Sequence, residues 1–212
     1  MARRLTWILA PEGGSDSDFL LPLIRRLLEE LCVRSDHEVE IPDGIDLRNV
    51  DGYARGITSV IDVLGQNPGP TLVFVHADAD GDADKARQRF VEPIVRSLAR
   101  GRAAVAVVPI RTIEAWVLAD LRSLASVLGA TERHLLDSGA PRASTEIEGH
   151  GDPKQLLNSL ASAVVQRRRR RQLPFRTLGT TVDMSRLRSL SAFATFEAEL
   201  LAALSTLGVL QR

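Results

Sequence analysis

The chain has 212 residues, 44% hydrophobic and 25% charged, ordinary values for a globular protein with room for a sizeable core. Lys+Arg and Asp+Glu both number 27, so net charge draws the molecule neither to nucleic acid nor to a membrane surface, and any affinity for phosphate must be local. A single cysteine excludes an internal disulfide. With no signal-peptide pattern in residues 1–5 and no apolar run near the ~18 residues of a membrane span, the expectation is a cytoplasmic protein with no membrane partner.

In chain order, residues 5–10 read as a buried strand. Residues 15–33 read as a helix, with Phe19, Leu20, Leu23, Ile24, Leu27, Leu28 and Leu31 at helical spacing and Cys32 as core. Alternation over 37–41 predicts a half-exposed strand, and Ile57, Val60, Ile61 and Leu64 place a helix over 50–64. A continuous apolar strand follows at 71–77, a helix at 82–100 and a fourth strand at 103–108. Such alternation implies an α/β fold with a doubly wound, mainly parallel four-stranded sheet. Beyond Pro109 only helical patterns remain, at 112–119, 121–128, 153–171, 184–190 and 192–207, with a flexible loop expected over 136–151. Residues 1–120 are therefore read as a metal-binding sheet domain and 121–212 as a helical C-terminal cap. The apolar stripe Phe193, Phe196, Leu200, Leu204 and Leu207 is read as the face docked on the sheet domain.

The third strand runs into Asp78, Asp80, Asp82 and Asp84. Neighbours in such a run, roughly 6–7 Å apart, repel by ~0.7 kcal/mol in water and by more where the dielectric falls. A hard divalent cation reverses the sign. On an extended backbone Asp78 and Asp80 leave from one face and share one ion, whereas Asp82 and Asp84 suit the start of the next helix. The spacing is not that of an EF-hand, because Gly81 is the fourth residue of the run and a strand precedes it. Glu12 follows the first strand, before the Gly13-Gly14 turn and a helix capped by Ser15 or Asp16. With strand order 2-1-3-4 the crevice lies between strands one and three, so Glu12 and the Asp78/Asp80 pair meet there.

Glu12, Gly13, Ser15 and Asp16, with Asp78 and Asp80 downstream, resemble the Toprim domain of topoisomerases, primases and overcoming-lysogenization-defect nucleases over about residues 5–110. The resemblance implies a Toprim-like sheet of order 2-1-3-4, Mg²⁺ or Mn²⁺ on the aspartates, and Glu12 as acid/base or as a further ligand. Pro11 departs from the usual element by removing a backbone donor beside Glu12. Residues 111–120 and Asp152-Pro153-Lys154 further resemble a bacterial domain-of-unknown-function family, number 4276, often encoded beside ATPases and in places within phage-defence loci.

Glu114 reads either as an ordinary partner of Arg111 or as an additional group at the metal crevice. Lys154 stands near the positive end of a helix that Asp152 caps, where a cation is unfavourable without an anion. It is read as stabilising charge on a phosphoryl group. Arg111, Arg167 and Arg169 are candidate nucleic-acid contacts, although five consecutive arginines surround a helix rather than line one face. His76 shares a face with Asp78 and is either a satisfied core histidine or an orienting partner; the scattered histidines make no zinc site. The expectation is a Mg²⁺- or Mn²⁺-dependent phosphodiesterase acting on DNA or RNA, with a second copy of itself and an ATPase as candidate partners. Two rivals stand beside it: a haloacid-dehalogenase-like phosphohydrolase with Asp78 as nucleophile, and a non-catalytic partner subunit of an ATPase.

Overall fold

The computed structural model describes residues 3–54, 56–164 and 173–211. The chain opens with β1 (Arg3–Arg4) and β2 (Trp7–Ala10), then enters α1 (Gly14–Cys32). All seven apolar positions of the predicted helix, from Phe19 to Leu31, are at most 1% exposed, so the 3.6-residue period marks the buried face.

The next strand departs from expectation. The predicted 37–41 strand is only β3 (Val39–Glu40), pairing with β1 in a separate two-stranded ladder, while β4 (Ile45–Asp46) takes the edge beside β2. Pro42 has no N–H to continue a ladder, its carbonyl accepts from Trp7 Nε1 at 3.0 Å, and Gly44 lies so close that a Cβ would sit 2.2 Å from the Trp7 ring. The chain therefore steps over Trp7 before pairing again.

A short 3₁₀ turn at Leu47–Asn49 and a turn through Gly52, with φ 84°, delay the second helix, so α2 runs from Ile57 to Gln66 and Tyr53 lies outside it. Strand β5 (Leu72–His76) is wholly buried. The predicted 82–100 helix is α3 (Ala83–Ala86), a π turn at Arg87–Val91, and α4 (Glu92–Ser97). Pro93 offers no N–H to the carbonyl of Arg89, which accounts for the widening there. Strand β6 (Ala103–Val107) completes the sheet.

The main sheet has the order β4-β2-β5-β6 with every pair parallel. Alternate strand residues face two apolar layers. Leu9, Phe74, Val105 and Val107 join α1, whereas Ile8, Val73, Val75 and Ala106 join α2 and α4. This is an α/β architecture with a parallel sheet covered on both faces.

The remaining helices are α5 (Glu114–Leu118), α6 (Leu121–Leu128), α7 (Glu132–Asp137), α8 (Ser144–Gly149), α9 (Pro153–Val164), α10 (Phe175–Thr181), α11 (Met184–Leu187) and α12 (Ser191–Thr206). The expected 136–151 loop instead carries α8, which buries Ile147, while Glu148 accepts from the Ala192 backbone N–H at 3.0 Å. Buried residues of α5 to α12 join the same core as α1 and the sheet. Phe196 of α12 packs edge-on to Phe74 of β5, with Trp116 and Phe193 completing an aromatic cluster. Among the described residues no helix is long and apolar enough to cross a membrane.

Helix α10 has no apolar period to announce it and docks on α1 through a glycine. A Cβ on Gly179 would lie 2.2 Å from the Phe19 carbonyl oxygen and 2.8 Å from Pro22 Cγ. Alanine in a helix interior normally gains about 1 kcal/mol over glycine. Here backbone must move, so Gly179→Ala is expected to cost ~1–3 kcal/mol in urea unfolding, and a stabilised variant would contradict this packing.

Candidate functional site

Strands β2 and β5 are parallel neighbours with Ala10 opposite Val75, so both deliver their next residues to the same sheet edge. That edge is where the strand order reverses, since β2 leads by α1 to β4 on one side and β5 lies on the other. Pro11-Glu12 and Ala77-Asp78 emerge there.

Glu12 and Asp78 meet. Glu12 Oε2 accepts from the Asp78 backbone N–H at 3.1 Å, and the Glu12 N–H donates to His76 Nδ1 at 3.4 Å. The His76 side chain is wholly buried between acids, with Nε2 3.4 Å from Asp78 Oδ1 and Nδ1 3.6 Å from Asp16 Oδ2. The Nε2 and Oδ1 atoms are close yet off hydrogen-bonding alignment, and among the described residues both are buried without a partner. Burial disfavours the imidazolium, but the carboxylates of Asp78, Asp16 and Glu12 outweigh it, so His76 holds its proton more firmly than a free imidazole.

Helix α1 starts one residue earlier than expected, with Gly13 as N-cap. Asp16, in its first turn, accepts from the Gly13 N–H at 2.7 Å. That bond anchors the Glu12 turn from inside the helix.

Asp80 lies differently from its predicted place. Strand β5 ends at His76, and Asp80 adopts φ 50° in a turn with Gly81 at φ 95°. Regular strand pairing thus ends before Asp78, and the backbone departs from extended geometry at Asp80. Arg111 Nη1 donates to the Asp80 carbonyl at 3.1 Å, the Gly81 N–H donates to the Ile110 carbonyl at 2.7 Å, and a Gly81 Cβ would sit 2.9 Å from Arg111 Nη1. The left-handed backbone at Gly81 favours glycine, and the Arg111 guanidinium packs into the space a side chain would take. Asp82 caps α3 by accepting from the Lys85 N–H at 3.0 Å, and Asp84 lies in that helix's first turn, as the sequence suggests.

Glu114 opens α5 and is only 6% exposed; among the described residues it forms no ion pair with Arg111. Arg111 Nε and Thr112 Oγ1 are also buried without partners, so the chain after β6 brings further unsatisfied polar atoms to the rim. Asp120 is structural: it accepts from the N–H groups of Arg122 and Ser123 at 3.1 Å and from that of Asp183 at 2.9 Å.

Among the described residues Lys154 forms no ion pair. It lines an open groove on α9 with Asp152, Gln155 and Asn158, and Asp152 caps that helix through the Gln155 N–H at 2.8 Å. Arg167 and Arg169 lie outside the described residues. Among the described residues no three His, Cys, Asp or Glu side chains gather as a preformed metal cluster.

One buried group was not foreseen. Asp46, at the end of β4, accepts from Ser17 Oγ at 2.7 Å and from Arg48 Nη2 at 2.6 Å, tying the edge strand to α1. Only an Asp and an Arg two residues apart hinted at it. Burial pushes the Asp46 carboxyl up, but bonds from Arg48 and Ser17 outweigh this and hold it below its usual 3.8. Its folded-state value is thus depressed, and its contribution is complete above the unfolded value and lost as pH falls through the folded one. Asp46→Ala is expected to cost ~1–3 kcal/mol at neutral pH by stranding the buried Ser17 hydroxyl. In denaturant titrations the gap from wild type should narrow below about pH 4, and a pH-independent gap would refute the linkage.

The chain matches no family model, no curated protein and no solved structure.

Proposed function

We propose that this protein is a Mg²⁺- or Mn²⁺-dependent phosphodiesterase acting on nucleic acid, built on a Toprim-like sheet with a helical C-terminal cap. The observation that carries the reading is the Glu12 carboxylate seated on the Asp78 N–H, which unites residues 66 apart in sequence at the crevice of a parallel sheet. Asp78 is half-buried at this crevice with Oδ1 turned to His76, and its second carboxylate oxygen is the kind of donor a hard cation takes. Mg²⁺ is commonly held by one or two carboxylates, with water and substrate phosphate completing its shell, so a preformed three-acid cluster is not required.

Asp78 and Glu12 would hold the ion, with Asp80 on the adjoining turn as a further oxygen donor. A bound ion there would acidify a water and stabilise the oxygens of an in-line displacement. The other Glu12 oxygen would either complete the ion's shell or take the proton of the attacking water. Arg111, half-buried beside the Asp80 turn, would meet a phosphate oxygen, and Glu114 would complete the site. Lys154 is assigned to substrate contact along the α9 groove. The resemblance also supports an ATPase partner and a role in phage defence.

The test is incubation of the purified chain with end-labelled single- and double-stranded DNA and RNA in Mn²⁺ or Mg²⁺. Cleavage abolished by a chelator is expected. Absence of cleavage, together with absence of Mn²⁺ binding by the protein, would overturn the proposal. An aspartyl-phosphate adduct or a beryllium fluoride complex at Asp78 would replace it with a phosphohydrolase.

A further inference from the structure

We propose that His76 is a positioning residue that orients the Asp78 carboxylate through its Nε2–H, an inference that rests on the reading of Asp78 as a metal ligand. Nδ1 accepts from the Glu12 N–H at 3.4 Å, so in the neutral ring the proton resides on Nε2. In the imidazolium both nitrogens carry protons. In either form an N–H faces Asp78 Oδ1, 3.4 Å away, and neither atom has another partner among the described residues. A small rotation of either side chain brings the pair to an ordinary hydrogen bond of about 2.8–3.0 Å.

The ring also joins the two loops of the site. Glu12 contacts it by its backbone and holds Asp78 by its carboxylate, while Asp16, fixed on the Gly13 N–H, backs the ring 3.6 Å from Nδ1. With Oδ1 drawn toward the imidazole, Oδ2 is left to point outward. A histidine that merely filled the core would leave two ring nitrogens unsatisfied among apolar atoms, at a cost of ~1–3 kcal/mol each. Here the Glu12 N–H meets Nδ1 and the Asp78 carboxylate faces Nε2. Outer-shell partners of this kind characteristically set ligand orientation.

Mn²⁺ alone is the probe, titrated calorimetrically into wild type, His76→Gln, His76→Asn, His76→Leu and Asp78→Asn. Glutamine puts an amide N–H near the Nε2 position and asparagine near Nδ1. Wild-type affinity is therefore expected in His76→Gln to within about threefold, with a weakening of about 10–100-fold in His76→Asn and His76→Leu. A merely structural residue would not separate Gln from Asn. Equal affinity in wild type and His76→Leu, or equal loss in Gln and Asn, would overturn the role of His76 while leaving the metal reading intact. Absence of wild-type binding that Asp78→Asn abolishes would overturn the metal reading and the role together. Long-range ¹H–¹⁵N correlation of the unaltered protein supplies a measurement independent of variant folding: a protonated Nε2 is expected at His76, and an Nδ1–H tautomer would contradict the proposal.

Discussion

Asp78→Asn is expected to lower divalent-ion-dependent phosphodiesterase activity by about 10³-fold or more, corresponding to ~4 kcal/mol of barrier, while leaving the fold at least as stable as wild type. The substitution is isosteric and keeps the backbone N–H on which Glu12 rests. What it removes is a charge that shares a small volume with Glu12 and Asp16 around His76. Like charges so placed favour a ligand over stability, so melting should stay level or rise as activity falls. Oligonucleotide cleavage in Mn²⁺ and thermal unfolding of the same preparation check both halves. Retention of more than a tenth of the activity would remove Asp78 from the reaction.

Phe196→Ala is expected to cost ~3–5 kcal/mol, the range for truncating a buried phenylalanine. Its ring centroid lies 6.1 Å from Phe74, 5.8 Å from Trp116 and 5.6 Å from Phe193, and Phe74 in turn packs edge-on to Trp7 at 5.6 Å. Four elements far apart in sequence thus close on one point beneath the sheet. The cavity left behind would be lined by rigid rings and by strands that cannot collapse inward. Loss of cooperative unfolding stability across the whole chain is the expected result in urea titration. A cost below about 1 kcal/mol would mean that α12 is a detachable cover rather than a layer of the core.

Where one physical rule dominates, the sequence is a good guide. Helix α1 is legible because its apolar stripe follows the 3.6-residue period without interruption, and β5 because a continuous apolar run beside a carboxylate turn suits a doubly covered strand. The meeting of Glu12 with Asp78 follows from parallel pairing, since adjacent parallel strands end at the same edge. What escaped depended on single residues acting through space. Pro42 and Gly44 split the second strand because Trp7 fills the space alongside, a contact between residues 35 apart. Asp80 turns out of extended backbone beside Arg111, which arrives only after β6. Helix α10 was invisible because its docking is shaped by the absence of a side chain at Gly179 rather than by an apolar period. His76 reads from sequence first as core and second as a partner for Asp78, whereas in the fold both its nitrogens face carboxylates.

A crystal structure of the Mn²⁺-soaked protein, with the ion located by its anomalous scattering, tests the central claim most directly. A divalent ion on the sheet rim, bound through Asp78 and Glu12 with oxygen ligands at about 2.0–2.2 Å, is the predicted result. An ion bound elsewhere, or none, with Glu12 still seated on the Asp78 N–H, would contradict it.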